Sequence, residues 1–162
     1  MPLEIERKFL IAGPPDPSHP VLRNADLVNY EQIYLHVDDI EQRRIRRGIS
    51  RGSTTYHIAH MRQLTTGVRE VSERRIARAE YERLRDRRDP TRQIIYKDRR
   101  RFSWDGRLLE LDEIFEPRSR ACHLLEIQVD DLAARIALPD FLSVDREVTG
   151  EPRYANSMIA LG

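Results

Sequence analysis

Charged and apolar residues alternate along the first strand-like segment of the chain, Leu3–Ile11. Successive side chains of a β-strand point to opposite faces of a sheet, so every second residue shares a face. One face is apolar and includes Ile5 and Phe9. The other face carries three charged residues, Glu4, Glu6 and Lys8. The pattern predicts a strand that presents two carboxylates and an ammonium on the same side.

Further segments of strand length follow, separated by short turn signals, and they cover residues 30–37, 41–48, 54–62, 68–76, 93–104, 107–115, 122–129 and 147–149. Asp105-Gly106 between two of them is a strong hairpin signal. Helical spacing or acidic first turns predict helices over 77–88, 130–137 and 153–161. About eight mostly hairpin-linked strands with a few helices predict an α+β, mainly β fold: a closed antiparallel β-barrel with flanking helices.

The charge pattern of the first strand recurs on later strands. Residues of the same face form the pairs Arg44 and Arg46, His60 and Arg62, Arg69 and Glu73, Lys97 and Arg99, and Glu110 and Asp112. A sheet with one solvated face would give the same alternation. The Glu-x-Glu-x-Lys grouping favours an interior site instead, because hard cations bind carboxylates and phosphate oxygens bind basic side chains. Both signs would then line one cavity and hold a metal-bound polyanion.

The 162 residues are enough for one domain spanning 1–162. Charged residues make up 34% of the chain, yet the formal net charge is only +1. A nucleic-acid-binding protein usually shows a basic excess, so we expect no nucleic-acid partner. Of the 28 basic residues only Lys8 and Lys97 are lysines. In so arginine-rich a chain, a lysine suggests a position that needs a compact ammonium.

The single cysteine, Cys122, excludes an intrachain disulfide and fits a reducing compartment. The first residues lack the apolar run of a signal peptide, and no segment approaches the ~20 apolar residues of a membrane span. We therefore expect a cytoplasmic protein without a membrane partner.

The sequence resembles the CYTH family, the triphosphate tunnel metalloenzymes, over nearly its whole length. The family motifs occur in family order: Glu-x-Glu-x-Lys at residues 4–8, Gln-x-Tyr-Leu at 32–35, Arg-Ile-Arg at 44–46, Ile-x-Lys-x-Arg at 95–99, Glu-Leu-Asp at 110–112, Glu-Val-Thr at 147–149 and Arg-Tyr-x-Asn at 153–156. Each motif is weak alone, but together they are specific. Both lysines of the chain lie within them.

The resemblance implies an eight-stranded tunnel that holds a triphosphate with one or two Mg²⁺ or Mn²⁺ ions. The implied substrate-binding residues are Lys8, Arg44, Arg46, Arg62, Arg69, Lys97 and Arg99. The implied metal ligands are Glu4, Glu6, Glu73, Glu126 and Glu147. The implied catalytic residues are Lys97, Glu6 and Glu73, with Lys97 a candidate for activating water. Short bacterial members that open this way often hydrolyse inorganic tripolyphosphate, and that is the expected activity.

The sequence departs from the family pattern at three positions. Arg62 stands where the fourth strand commonly has lysine, and Val71 and Gln128 replace glutamates in the fifth and eighth strands. Glu70 could substitute for the glutamate at 71 only if a bulge shifts the register. Because two carboxylates are missing, we expect the second metal ion to be lost.

Three alternatives to tripolyphosphate hydrolysis stay open. The first is an adenylyl cyclase, for which the chain offers no purine-binding signature. The second is a thiamine triphosphatase. The third, motivated by Val71 and Gln128, is a triphosphate-binding module with weakened catalysis. The sequence also leaves open whether the barrel forms a homodimer.

Overall fold

The computed structural model describes residues 2–162, and most of that range is β-sheet. The strands are β1 (Leu3–Ile11), β2 (Asp26–Val37), β3 (Glu41–Ser50), β4 (Ser53–Thr65), β5 (Val68–Arg75), β6 (Ile95–Trp104), β7 (Arg107–Glu116), β8 (Cys122–Gln128) and β9 (Val144–Glu147). Three short helices accompany them, α1 (Pro20–Arg23), α2 (Arg78–Arg85) and α3 (Asn156–Ile159). Single 3₁₀ turns cover Arg118–Arg120 and Pro152–Tyr154.

The strands form a closed antiparallel barrel in the order β5-β4-β3-β2-β6-β7-β8-β1, with β9 added along β1. β1 closes the barrel, since Leu3 lies opposite Glu70 of β5 while the rest of the strand pairs with β8. The end of β1 pairs on its free side with β9, where Phe9 lies opposite Glu147. The predicted barrel is therefore confirmed. Strands β2 to β5 and β6 to β8 are joined in chain order as hairpins, whereas β2 pairs with β6 and β1 closes the barrel between β8 and β5.

The hairpin between β6 and β7 shows how the sequence sets the register. Asp105 and Gly106 have φ values of 50° and 72°. Two successive residues with positive φ match the right-handed twist of the flanking strands. Trp104 therefore lies opposite Arg107, and the register runs on to Arg99 opposite Asp112.

The apolar faces of the strands point outward in this barrel. Ten buried residues form an outer core between the barrel wall and the segments that cover it, namely Phe9, Ile11, Leu22, Phe102, Leu109, Leu111, Leu125, Ile127, Val129 and Leu142. A second outer cluster packs α2 against the wall through Ile33, Ile45, Ile76 and Tyr81. The inward faces are consequently free to carry charge.

One end of the barrel interior is apolar and lies against α3. This apolar floor consists of Tyr34, Ile95, Ile114, Leu124, Val148, Ile159 and Ala160. Ile159 and Ala160 come from the C-terminal segment, so that segment covers the floor.

The gap between β5 and β9 lies beside the middle of β1. The Val148 amide donates to the Lys8 carbonyl at 2.8 Å, and the Glu6 amide donates to the Gly67 carbonyl at 3.0 Å. A Cβ on Gly150 would lie 2.5 Å from Cγ2 of Thr66, and its φ is +75°. The β4–β5 turn and the C-terminal segment therefore approach closely on one side of the barrel.

The helix predicted over 130–137 is wrong. The segment after β8 is irregular, with a turn in which the Ala134 amide donates to the Asp131 carbonyl at 3.1 Å. Leu132 and Ile136 pack separately on the outer core. The other two helices form but are shorter than predicted. The strand predicted at 147–149 is misplaced, because β9 covers Val144–Glu147 and shares only Glu147 with it. None of the helices within 2–162 has the length and apolar character needed to cross a membrane.

Candidate functional site

A cavity of about 680 Å³ occupies the barrel interior above the apolar floor. Its wall comes mainly from inward-facing residues of β1 and β3 to β8. Of the residues implied by the family motifs, it is lined by Glu4, Glu6, Lys8, Arg44, Arg46, Arg69, Glu73, Lys97, Arg99 and Glu126. The prediction that acidic and basic side chains line one cavity is confirmed for these residues. The alternative, a sheet with one solvated charged face, is wrong.

The predicted place of Arg62 inside the barrel is wrong. Ala59 and Met61 of β4 are buried, with 3% and 2% exposure, and Gln63 lines the cavity. Arg62 is exposed and lies opposite Glu41 of the neighbouring strand. A shift of one residue moves a side chain to the other face of a sheet, and the alternation predicted for β4 differs from the structure by one residue.

The predicted place of Glu147 at the metal site is also wrong. Its carboxylate accepts two hydrogen bonds from Arg7, at 2.8 and 2.7 Å, and one from Thr149 at 2.7 Å. Arg7 lies on the outward face of β1, between the inward residues Glu6 and Lys8. Glu147 therefore belongs to an outer ion pair that fastens β9 to β1.

The acidic side of the cavity consists of Glu4, Glu6 and Glu126. Burial, with the nearby Glu126 charge, raises the pKa of Glu6 well above its usual value. Burial acts in the same direction on Glu126, but Lys8 and Arg99 outweigh it and lower that pKa. The Oε2 atom of Glu6 is buried and makes no hydrogen bond. A buried carboxyl without a donor is costly, so this side of the cavity suits a cation.

The basic side of the cavity consists of Arg44 and Arg46. The Arg44 guanidinium, on a side chain that is 8% exposed, has no carboxylate within 4.0 Å among residues 2–162. The Nε of Arg44 and the Nη1 of Arg46 are buried and lack acceptors. Arg46 otherwise donates to Glu73 at 2.9 Å and stacks on Tyr30. Arginine stays protonated in proteins, so these free donors call for an anion with several oxygens.

A carboxylate network holds Arg99 deep in the cavity. Its guanidinium donates twice to Asp112, at 2.7 and 2.8 Å, and to Glu110 at 3.0 Å. A longer contact of 3.4 Å reaches Glu126. Most donors of Arg99 are thus used within the protein, which makes it a positioning group for the acids around it. Glu110 and Asp112 belong to the site, although the sequence pattern indicated only their shared face and their motif.

Lys97 shares this network and faces the cavity. Its ammonium donates to Asp112 at 2.9 Å and to Asn156 at 2.8 Å. Burial, with the positive charges of Arg99 and Arg44, lowers the pKa of Lys97 to about 7, although Asp112 opposes the shift. An amine with such a pKa can exchange a proton near neutral pH.

The other lysine, Lys8, contacts the acidic side of the cavity and the C-terminal segment. Lys8 donates to the Tyr154 carbonyl at 3.1 Å and lies 3.6 Å from Glu126. Arg69 donates to Glu4 at 3.1 Å and completes this part of the lining. The acids Glu4 and Glu126 therefore each have a basic neighbour.

The residues present fit a divalent cation whose remaining ligands are water and the oxygens of a bound anion. Within residues 2–162, no group of three or more His, Cys, Asp or Glu side chains is arranged to hold a metal ion by itself. Mg²⁺ usually takes only one or two carboxylates and completes its shell with water and phosphate oxygens. The unpaired Oε2 of Glu6, beside Glu4 and Glu126, offers such a ligand, and its hard oxygen suits Mg²⁺ or Mn²⁺.

Val71 and Gln128 both line the cavity, as the sequence register predicts. Val71 lies opposite Met61, and Gln128 lies opposite Glu6. Arg69, Val71 and Glu73 all line the cavity, so β5 keeps its alternation and Glu70 stays on the outer face. No bulge rescues the missing carboxylate at position 71, because the irregularity in this pair lies in β4 after Gln63.

A second pocket of about 710 Å³ adjoins the cavity at the end remote from α3. The two share Glu4, Val71, Glu73 and Gln128 in their linings. The first cavity also reaches the gap beside β1, where it is lined by residues 65–67 and 149–152. The interior is therefore approached both from this gap and from the far end of the barrel.

No family model matches the sequence. An inorganic triphosphatase from Acetivibrio thermocellus is 30% identical over 155 residues, which cover 95% of this chain and 90% of that protein. The crystal structure of the inorganic triphosphatase NE1496 superposes with a TM-score of 0.64 and 28% identity, covering 100% of this chain and 97% of that one. HpAC1 from Hippeastrum, described as having a dominant triphosphatase activity, shares the fold with a TM-score of 0.55 and 15% identity over 79% of this chain and 80% of its own. The chain belongs to the CYTH-like family of triphosphatases.

Proposed function

We propose that this protein hydrolyses inorganic tripolyphosphate inside the barrel with the help of Mg²⁺ or Mn²⁺. One observation carries the proposal: buried guanidinium donors of Arg44 and Arg46 without acceptors line the same cavity as the buried, unpaired carboxyl oxygen of Glu6. A metal-bound polyanion would satisfy both sets of atoms at once. The inorganic triphosphatases among its relatives support the choice of substrate.

Phosphoryl transfer depends mainly on positioning and on stabilising the charge of the transferred group. Arg44, Arg46 and Lys8 would bind phosphate oxygens through short, charge-assisted hydrogen bonds. Glu6, with Glu4 or Glu126 beside it, would hold the cation, which when bound supplies positive charge and polarises water. Lys97, in its neutral form, would accept a proton from the attacking water.

The test is a substrate panel. Tripolyphosphate, thiamine triphosphate and ATP are each incubated with Mg²⁺ or Mn²⁺, and both phosphate and cyclic AMP are measured. We expect metal-dependent phosphate release that is fastest with tripolyphosphate. Cyclic AMP from ATP would indicate a cyclase instead. No release from any substrate with either metal would contradict hydrolysis.

A second candidate function, triphosphate binding with weak turnover, rests on Val71 and Gln128. Both line the cavity, and neither contributes the charge that a glutamate there would. In that case the protein would bind tripolyphosphate in saturable fashion, as measured by calorimetry, and release phosphate slowly.

Restoring the two carboxylates separates the candidates. If turnover is limited by the missing charge, Val71→Glu with Gln128→Glu is expected to raise kcat by about 10-fold or more, since changes around a metal commonly alter activity by ~10–100-fold. Ser72→Glu adds a single negative charge to the outer face of β5, next to position 71, and is the control for added charge outside the cavity. An unchanged kcat in the double variant would contradict the second candidate function, triphosphate binding with weak turnover.

The same proposal makes a small-molecule triphosphate the partner of this protein, without nucleic acid or membrane. Cys122 is a free, half-buried thiol in this barrel, which supports a reducing, cytoplasmic location.

A further inference from the structure

Asn156 occupies an unusual place between the C-terminal helix and the charged network. It is the first residue of α3, and its side chain is 9% exposed. Its Oδ1 atom accepts from Lys97 at 2.8 Å and from the Gln32 amide at 3.2 Å. Two donors converge on this one atom, so the amide orientation is fixed, because the flipped group would present a donor to the ammonium.

The residue is held in place from both sides. Gln32, whose relative exposure is 0%, also donates to the Tyr34 hydroxyl at 3.1 Å. Behind Asn156, Ile159 packs into the apolar floor and anchors α3. Asn156 therefore couples a fixed helix to Lys97 and cannot move without disturbing the packing of the C-terminal segment.

We infer that Asn156 is a positioning residue that aims the Lys97 amine at the cavity and does so with an uncharged acceptor. This inference deepens the proposed hydrolysis and rests on it for its catalytic meaning. The geometry of the contact itself does not depend on any activity.

The absence of charge on Asn156 matters because of the groups around Lys97. Asp112 on β7 is the anion in direct contact, and two donors of Arg99 share it. The other charged or titratable groups that act on Lys97 are Arg44 on β3, Arg99 on its own strand β6, and Glu126 and Cys122 on β8. Lys8 on β1 and Tyr34 on β2 line the same cavity. Burial and the arginines lower the pKa of Lys97 to about 7 in this setting. A second carboxylate in place of Asn156 would reverse that balance.

Because the chain has only two lysines, their protonation can be followed directly. Protein grown with lysine labelled at ¹³Cε gives two signals, and Lys8→Arg assigns them. In the wild type we expect the Lys97 signal to titrate with a midpoint of about 7. In Asn156→Asp the midpoint is expected to rise by about 1 pH unit or more, since an adjacent opposite charge favours the ammonium.

A second variant tests the opposite direction. Asn156→Leu keeps the approximate volume but removes the acceptor, so the Lys97 midpoint is expected to fall below that of the wild type. Ile159→Val trims α3 without touching the network and is expected to leave the midpoint unchanged. Circular dichroism establishes that each variant is folded.

The outcomes distinguish this inference from the proposed function. Shifted midpoints together with a matching shift of the acidic limb of kcat/KM for tripolyphosphate support both. Shifted midpoints in a protein that hydrolyses nothing retain Asn156 as a positioning residue but reject hydrolysis. Midpoints that stay within a few tenths of a unit in both Asn156 variants overturn the inference, whatever the activity.

Discussion

Replacing Asp112 by asparagine is expected to lower the free energy of unfolding by about 3–5 kcal/mol, the usual cost of removing one partner from a buried ion pair. Asp112 has a relative exposure of 0% and accepts from Lys97 once and from Arg99 twice. Asparagine has nearly the same shape, so the change leaves two buried basic groups without their shared anion. Since domains are typically stable by only ~5–15 kcal/mol, the loss is a large fraction of the total.

The measurement is the urea midpoint of unfolding at constant protein concentration. Asp98→Asn is the matched control, because Asp98 lies on β6 beside Lys97 but faces outward and accepts from Asn29. It is expected to change stability by no more than about 0.5 kcal/mol, as for most surface substitutions. Equal midpoints for the two variants would show that the network around Asp112 does not stabilise the barrel.

Replacing Glu6 by glutamine is expected to have the opposite profile, a loss of phosphate release by about 100-fold or more with no loss of stability. Glutamine removes the charge from the buried carboxyl that we propose as a cation ligand. The pKa of Glu6 is raised in the folded protein, so the folded state binds a proton more readily than the unfolded state does. Stability is therefore lost as the pH rises above the ordinary pKa of a glutamate, because ionised Glu6 is disfavoured in the fold. A neutral glutamine avoids this cost at pH 7.

Two measurements check the Glu6 variant, namely phosphate release with Mg²⁺ and Mn²⁺ and the urea midpoint. Glu70→Gln, on the outer face of the barrel, is the control and is expected to keep both unchanged. If the Glu6→Gln protein kept more than half of the wild-type rate, Glu6 would have no part in the reaction. A lower urea midpoint would mean that Glu6 serves the fold instead.

The barrel and most of its lining could be predicted because each inward strand face repeats a simple rule. Where charged residues recur at every second position, as in Glu4, Glu6 and Lys8, they mark one strand face, and that face lines the cavity. β4 breaks the rule because its inward residues Ala59 and Met61 are apolar while its outward face is polar. The periodicity of β4 alone therefore predicts the wrong face for Arg62.

Other features depended on contacts that no local pattern contains. Glu147 belongs to a strand of only four residues, too short to show an alternation. Its partner Arg7 is distant in sequence, so only the fold shows that the two form an outer ion pair. The acids in the 130–137 segment suggested a helix start, yet the apolar residues there are needed individually to cover the outer core.

The rarity of lysine proved a useful guide to the interior. Both lysines line the cavity, whereas most of the arginines lie outside it. Lys97 has 2% exposure and donates to two acceptors, one from β7 and one from α3. A bulky, always-charged guanidinium could neither fit that contact nor release a proton there.

Because most apolar strand faces point outward, the residues that stabilise the barrel by packing are largely different from those that line the cavity. Most strands bury apolar side chains against the covering segments, so the lumen above the apolar floor can carry the polar groups that a reaction requires. A luminal residue outside the network of Asp112, such as Val71, can therefore change without disturbing the outer packing. A protein engineer could exploit this by rewriting the lumen for other anions while leaving the exterior packing intact.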